Sequence, residues 1–452
     1  MRTQKDHLAL GDKSRLIAIA TAAIATTATF AKSFVPFYLV GSTPIFVAAC
    51  LVGAFLVVLT WRDIRENARY VTDILVVFGL LYAVVVANYS VYSFGKVPIT
   101  HLVGILVFHA LFLIFGFAAA RGLKTVYAVL LILAAIYILV IMQFAIRFGD
   151  VMVDGHLNDL FGVGFWSIYR TTFHQQIGGS LGLAVLAGLG LGWRRATLLT
   201  LAALPLVLWF MFYIASRAAM AALGCSLIFL ALADLWVRSK RLAITSLAAL
   251  VVSGAVASGL FLKYAIQDKD VSSIAPDAVS RTIREIQSQD PGFRLPIWER
   301  TWHRIATEPN RILSGRGIGT FPIDEGVGAP DWLLRKSEGA KHSPHNLHLE
   351  LLYETGIPGV LIFTVLTLLP LFFSLKHWGR LSAPERAAIA IYVFFLVTIE
   401  ISGSFAYSYD FQFFYGLAAG VVALKRWELT KTGAGLMPAN ASRVLETEKT
   451  AT

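Results

Sequence analysis

Arg217 stands in Ser216-Arg217-Ala218-Ala219, inside a stretch, 196–237, whose only charges are Arg217 and Asp234. That stretch is long enough to cross a bilayer twice, and Asp234 falls at its far edge, so Arg217 marks the point where the chain folds back. Arginine at mid-helix costs roughly 2.5–3.5 kcal/mol on translocon scales, and less near an interface. Two readings are open: a turn residue that snorkels to head groups, or an anion clamp, because guanidinium grips phosphate bidentately and stays charged. Arg294, in Gly292-Phe293-Arg294-Leu295-Pro296-Ile297-Trp298, precedes a segment, 296–308, with the pattern of an amphipathic helix. Pro296 suits a first helical position there, and Ile297, Trp298, Trp302 and Ile305 share one apolar face. Taken alone, Arg294 is a solvated loop arginine.

The run Lys341-His342-Ser343-Pro344-His345-Asn346-Leu347-His348 spaces three histidines by three. A metal site would need all of them on one helix. Pro344 disfavours helix at Ser343, which leaves His342 outside the helix carrying the other two, and no carboxylate or cysteine completes a familiar ligand set. The alternative puts His345 at the entrance of an apolar run. There a helix N-terminus disfavours imidazolium, and a neutral ring can take a proton from a hydroxyl or orient it near neutral pH. A histidine satisfied at a membrane interface is the plain reading beside it.

Other residues carry less. Arg170 and His174, in Tyr169-Arg170-Thr171-Thr172-Phe173-His174-Gln175, are ligand candidates or simple interface residues. Glu400 sits in an apolar run, where carboxylates are functional suspects. Asp268-Lys269-Asp270 has the form of the DxD of metal-dependent sugar transferases, a three-residue match that chance supplies often. Gly315-Arg316-Gly317-Ile318-Gly319-Thr320 lacks the Lys-Ser/Thr ending of a phosphate loop and reads as a turn.

The elements that must position these residues follow from composition. The chain has 452 residues, 57% hydrophobic and 15% charged, with mean hydropathy +0.67. A soluble domain cannot hide that much apolar surface. About twelve spans recur, near 15–34, 37–60, 72–93, 98–120, 124–147, 175–193, 196–216, 217–237, 242–262, 349–375, 386–405 and 410–424, and the first reads as a span, not a cleavable signal. The expected fold is therefore an all-α polytopic membrane protein. Arg62, Arg65, Arg69, Arg121, Lys124, Arg194, Arg195, Arg238, Lys240, Arg241, Lys376, Arg380, Arg386, Lys425 and Arg426 then fall on one side with both termini, which makes that side cytoplasmic. The net charge of +11 is thus mostly a topology signal, and no nucleic-acid partner is needed to explain it.

The expected organisation is spans one to nine over 1–262 with a short outer loop near 148–174, a large outer loop at 263–348 containing helical pieces, spans ten to twelve over 349–424, and a disordered cytoplasmic tail from 425 to 452. Within the large loop, 278–289 and 296–308 read as helices, separated by turn signals such as Glu308-Pro309-Asn310. Cys50 and Cys225 sit in apolar runs without partners at metal-site spacing, so neither a disulfide nor structural zinc is expected.

These residues together resemble the O-antigen ligase and polymerase superfamily. His345-Asn346 followed, nine residues on, by Gly356-Ile357-Pro358-Gly359 is similar to that family's His-x-(nine)-Gly-x-x-Gly arrangement. Arg294 with Trp298, then Gly315-Arg316-Gly317-Ile318-Gly319-Thr320-Phe321, looks like its Arg…Trp…Gly-x-Gly-x-x-Phe stretch. Ser216-Arg217-Ala218-Ala219 matches a Ser-Arg-small segment between two spans, and Arg170–His174 resembles the segment before a middle span, with Thr172 where the family often has Gly.

The resemblance implies an inner-membrane glycosyltransferase of the GT-C type with a periplasmic site. Its donor would be a glycan on undecaprenyl diphosphate and its acceptor a sugar hydroxyl of lipid A-core, with other membrane lipids around it. Arg217 and Arg294 would bind the diphosphate and stabilise the leaving charge. His345 would orient or deprotonate the acceptor for inverting attack, with Arg170, His174, Asn346 and Glu400 as substrate-binding residues. No cofactor is implied, and the first outer loop, near 34–37, lacks Asp and Glu, which favours a metal-independent reaction. Rival readings are a Wzy-type polymerase, a protein O-oligosaccharyltransferase, and a transporter. The last would spread buried charges across its spans instead of gathering polar residues at one side.

Overall fold

A computed structural model describes residues 16–30, 42–148, 170–213, 216–267, 294–326, 343–402, 404–405 and 408–434. The Asp268–Asp270 triplet, the expected helix at 278–289, the loop near 34–37, His342 and the end of the tail lie outside these residues. All repetitive secondary structure among the described residues is helical.

Among the described residues, a helix overlaps each apolar run the sequence marks. In order these are α1 (Leu16–Phe30), α2 (Ser42–Leu59), a short amphipathic α3 (Trp61–Ala68), α4 (Thr72–Asn88), α5 (Ile99–Ala119), α6 (Leu123–Phe148), α7 (Arg170–Gly190), α8 (Arg194–Tyr213), α9 (Arg217–Arg238) and α10 (Lys240–Gln267). Three small helices follow among the described residues, α11 (Arg294–Thr307), α12 (Pro309–Ser314) and α13 (Phe321–Gly326), then α14 (Leu347–Lys376), α15 (Ala383–Ser402) and α16 (Tyr409–Ala434). Helix α16 runs past residue 424, so the start of the expected disordered tail is helical. Among the described residues, six helical stretches are long and apolar enough to cross a membrane: Trp61–Ser93, Ile99–Leu139, Arg194–Phe212, Arg217–Arg238, Lys240–Leu260 and Leu347–Lys376. Apolar side chains such as Leu199 and Leu206 on α8, and Val251 and Leu260 on α10, face outward, as they do where the surroundings are hydrocarbon. The architecture is that of a polytopic membrane protein.

Helices α5 and α16 form the closest pair. A Cβ on Gly116 would stand 1.8 Å from the Phe413 carbonyl oxygen, and one on Gly416 would stand 2.1 Å from that of Leu113, so the two backbones meet where side chains are missing. Helix α15 packs between α7, α9 and α16, while α14 lies on α4.

Ion pairs gather at the basic end. Arg426 grips Asp73 with two bonds, 2.7 and 2.9 Å, and Asp234 accepts from Trp378 at 2.6 Å and Arg386 at 2.8 Å. Arg121 pairs with Asp63 there too. Burial, then Lys376, Arg380 and Arg426, hold His377 below the usual imidazole range.

Helix α14 is not one rod. Gly356 has φ 71° and ψ −168°, and the helix folds sharply there into an outer arm before it and an inner arm after it. His348 and Thr364 would be roughly 24 Å apart along a straight helix; their side chains are 3.1 Å apart. The straight part of this run therefore begins after Gly356. Helices α11 to α13 cap the outer arm through a small cluster of Ile305, Phe321 and Tyr353, with Ile297, Ile312, Leu349 and Leu352 around it.

Candidate active site

Helix α11 is described from Arg294 onward and includes Pro296. Its inward face is the buried Thr301 and Ile305 with the partly buried Ile297; Trp302 is 58% exposed and does not join them. Trp298 turns toward the histidine run, and its indole N–H donates to the Pro344 carbonyl at 2.6 Å. The Arg294–Trp298 and Pro344–His345 segments are thus one unit.

His345 stands just outside α14, exposed, with φ 52°. A non-glycine residue in that left-handed region stores roughly 1–2 kcal/mol of strain and persists only where its neighbours hold it. Asn346 is one such neighbour. It is the N-cap of α14, and its side-chain oxygen accepts from the Leu349 amide at 2.9 Å. Of the three histidines, His348 alone is seen inside the helix, and both its ring nitrogens have protein partners: Nδ1 meets Glu400 Oε2 at 2.8 Å and Nε2 meets Thr364 Oγ1 at 3.1 Å. Among the described residues no group of three His, Cys, Asp or Glu side chains is placed to hold a metal.

The fold in α14 explains the glycine motifs. Pro358 has no N–H to give the Glu354 carbonyl, and the turn at Gly356 removes the next helical donor from Tyr353. Both carbonyls are taken instead by the glycine-rich loop: Arg316 N–H donates to Tyr353 O at 2.8 Å, and Gly317 N–H to Glu354 O at 3.0 Å. Gly315, Gly317 and Gly319 all have positive φ, and a Cβ on Gly315 would lie 2.2 Å from the Glu354 oxygen. The loop is the turn the sequence suggests, wedged into the elbow of α14. Asn88 fastens it from α4, accepting from Ile318 N–H at 2.9 Å and donating to Ser314 O at 2.6 Å, and Ser93 donates to Ile318 O at 2.8 Å. Arg316 pairs with Glu308 at 2.6 Å.

Two buried carboxylates join the outer arm to its surroundings. Glu350 Oε1 accepts from Ser404 Oγ at 2.8 Å and Phe405 N at 3.2 Å, and Glu354 Oε1 accepts from Phe321 N at 3.3 Å. Sequence reasoning misses Glu350, Glu354 and Asn88. The signal that marks Glu400, a polar side chain within an apolar run, is present at these positions too.

Arg170 and Arg294 are the first described residues of α7 and α11, and Arg217 is the first residue of α9, directly after its N-cap Ser216. Helix stability disfavours a cation at that position, because the positive end of the helix dipole already lies there. Gly178 of α7 packs on Ser216, just before α9; along α7, His174 lies about one turn and Arg170 about two turns before that contact. Helix α9 also runs along α15. Asp234 meets Arg386 near the basic end, and similar lengths of helix lead from that contact to Arg217 on one side and to the end of α15, where Glu400 sits, on the other. Ser216 is buried, and its hydroxyl has no hydrogen-bond partner.

Together these features describe a polytopic membrane protein, helical throughout its described residues, with an elbowed helix under a helical cap. Residues 202–364, rather more than a third of the chain, match a family model described as O-antigen ligase. The family takes in ligases and polymerases, glycosyl-transfer enzymes working with lipid-linked glycans and lipid acceptors. Arg217, Arg294, His345, Asn346 and both glycine motifs lie within the match; Arg170, His174 and Glu400 lie outside it. No curated protein matches the chain by sequence.

Proposed function

We propose that the protein is an O-antigen ligase of the GT-C type, with twelve spans and both termini in the cytoplasm, acting at the periplasmic face of the inner membrane. It transfers a glycan from undecaprenyl diphosphate to a sugar hydroxyl of lipid A-core. One observation carries the reading: Arg217 is the first residue of α9, directly after its N-cap Ser216, so a guanidinium is added to a helix end that is already positive. Such ends attract anions through free amides and dipole alike. A pyrophosphate ester is the anion that a lipid-linked sugar donor brings to the membrane edge.

In this mechanism the acceptor oxygen bonds to the anomeric carbon as the bond from that carbon to the phosphate oxygen breaks, and the diphosphate leaves with the electron pair. Arg217 and Arg294 stabilise that charge where it develops. The acceptor proton passes to the imidazole of His345, which the Asn346 cap and the Trp298 bond hold at the mouth of α14. A diphosphate needs no general acid to depart, and the arginines supply the positive charge that a metal provides elsewhere.

Purified protein given both lipids, no nucleotide and a chelator tests this reading. Transfer is expected in the wild type and is lost in Arg217→Ala and His345→Ala. Arg217→Lys is also expected to fall well below wild type, because an ammonium does not reproduce bidentate contact. Transfer to a second undecaprenyl-linked glycan, with none to lipid A-core, reassigns the chain as a polymerase. Unchanged rates in the alanine variants remove the site assignment.

A further inference from the structure

Two rings of the histidine run lie within the described residues, His345 just outside α14 and His348 within its first turn. We propose that His348 and Glu400 are positioning residues: with Thr364 they staple the outer arm of α14 to its inner arm and to α15, and so fix where His345 stands. The proposal rests on the reading of His345 given above.

Three observations lead to it. First, the His348 ring is fully engaged, Nδ1 with Glu400 at 2.8 Å and Nε2 with Thr364 at 3.1 Å, which leaves no ring nitrogen for a substrate. The ring also stands edge-on to Phe363 at 5.7 Å. Second, the partners come from two places. Thr364 lies on the inner arm, beyond the Gly356 elbow, and Glu400 lies on α15. One side chain therefore ties three pieces of backbone. Third, a second tie runs parallel to it, from Glu350 on the same arm to Ser404 and Phe405 just past α15. Both ties fall in the first turn of α14, immediately after the strained His345.

A hinge at one glycine is free to open unless something closes it, because glycine tolerates many backbone angles. The arm carries His345 at its tip, so a small opening at the elbow becomes a displacement of the ring. Misplacing a reacting group by about 1 Å costs on the order of 100-fold in rate. The staple thus acts on the chemical step without touching either lipid, and Glu400 serves the reaction through His348 instead of binding substrate directly.

The test pairs kinetics with a distance. In the purified enzyme, His348→Ala and Glu400→Ala are expected to lower kcat by about ten- to 100-fold, with KM for both lipids within twofold of wild type. The double variant is expected to be no slower than the worse single one, since either change opens the same staple. His348→Gln, whose amide can still donate to Glu400, is expected to recover part of kcat. Spin labels on Trp302→Cys and Phe372→Cys, in a background lacking Cys50 and Cys225, should report a longer or broader distance in His348→Ala and the native distance in His348→Gln. A rise in KM with kcat unchanged makes Glu400 a substrate ligand and overturns the proposal. An unchanged distance in His348→Ala overturns it as well. If the wild type transfers no glycan, the proposed function falls, while the distance measurement still decides whether the staple exists.

Discussion

The indole of Trp298 donates to the carbonyl of Pro344 at 2.6 Å, across 46 positions of sequence. Through this one bond the helix that carries Arg294 is registered on the residue preceding His345. Trp298→Phe keeps the ring and removes the donor. Its expected effect on stability is small, about 1 kcal/mol, whereas transfer should fall at least tenfold because the two segments lose their mutual register. Thermal unfolding beside initial rates decides it; equal losses in both would make the tryptophan a packing residue only.

Gly315 and Gly224 make an instructive pair. Alanine at Gly315 would need φ near 72° and would put its Cβ 2.2 Å from the Glu354 carbonyl oxygen, whereas nothing lies within 4 Å of a Cβ at Gly224 on α9. Gly315→Ala should therefore unfold the elbow at a cost of several kcal/mol, on the order of the largest single-substitution effects. Gly224→Ala should be neutral or stabilising by about 0.5–1 kcal/mol. Melting temperatures of the two variants in detergent provide the comparison.

Asn88 supplies two bonds to the glycine-rich loop from a helix far away in sequence. Asn88→Leu leaves the Ser314 carbonyl and the Ile318 amide without their partner, at about 1–3 kcal/mol for each buried group. The expected phenotype is a lowered melting temperature together with reduced transfer, and hydrogen exchange at Ile318 should accelerate. Unaltered exchange there would show that the loop is held by the α14 carbonyls alone.

The basic end should behave differently. The Arg426–Asp73 pair is doubly hydrogen-bonded but partly solvent-exposed, with side-chain exposures of 26% and 46%. Asp73→Ala is expected to cost about 1 kcal/mol or less and to leave the transfer rate at the wild-type value. A large fall in kcat would mean that this end takes part in the chemistry, against the assignment of the site to the opposite end.

The helices were legible because lipid-facing and bundle-facing residues are alike apolar, so each run announces itself by length. Arg217 was legible for the converse reason, as a charge inside an apolar stretch, whereas Arg294 alone reads as a solvated loop arginine and was legible only through the family resemblance. The elbow was not. The run from Leu349 to Leu375 reads as one apolar segment, and Pro358 within it is compatible with a mild kink; only the competing hydrogen bonds from Arg316 and Gly317 reveal a sharp turn. Trp302 fits an apolar helical face by spacing, yet Thr301 occupies the buried position, because the orientation of a short helix is set by what it lands on. The partners of Asn88, Glu350 and Glu400 lie between 52 and 230 positions away in sequence, beyond the reach of any local pattern.

The cluster beneath the helical cap contains Tyr353, with Leu349 and Leu352 beside it, all past residue 348, where the outer loop was expected to end. The loop therefore borrows its floor from α14. Excised as a soluble fragment ending at 348, it would carry Ile305 and Phe321 with nothing to close over them, and it should behave as an unfolded or aggregating peptide. A fragment meant to fold by itself has to retain the first arm of α14, and with it the elbow that joins the cap to the membrane.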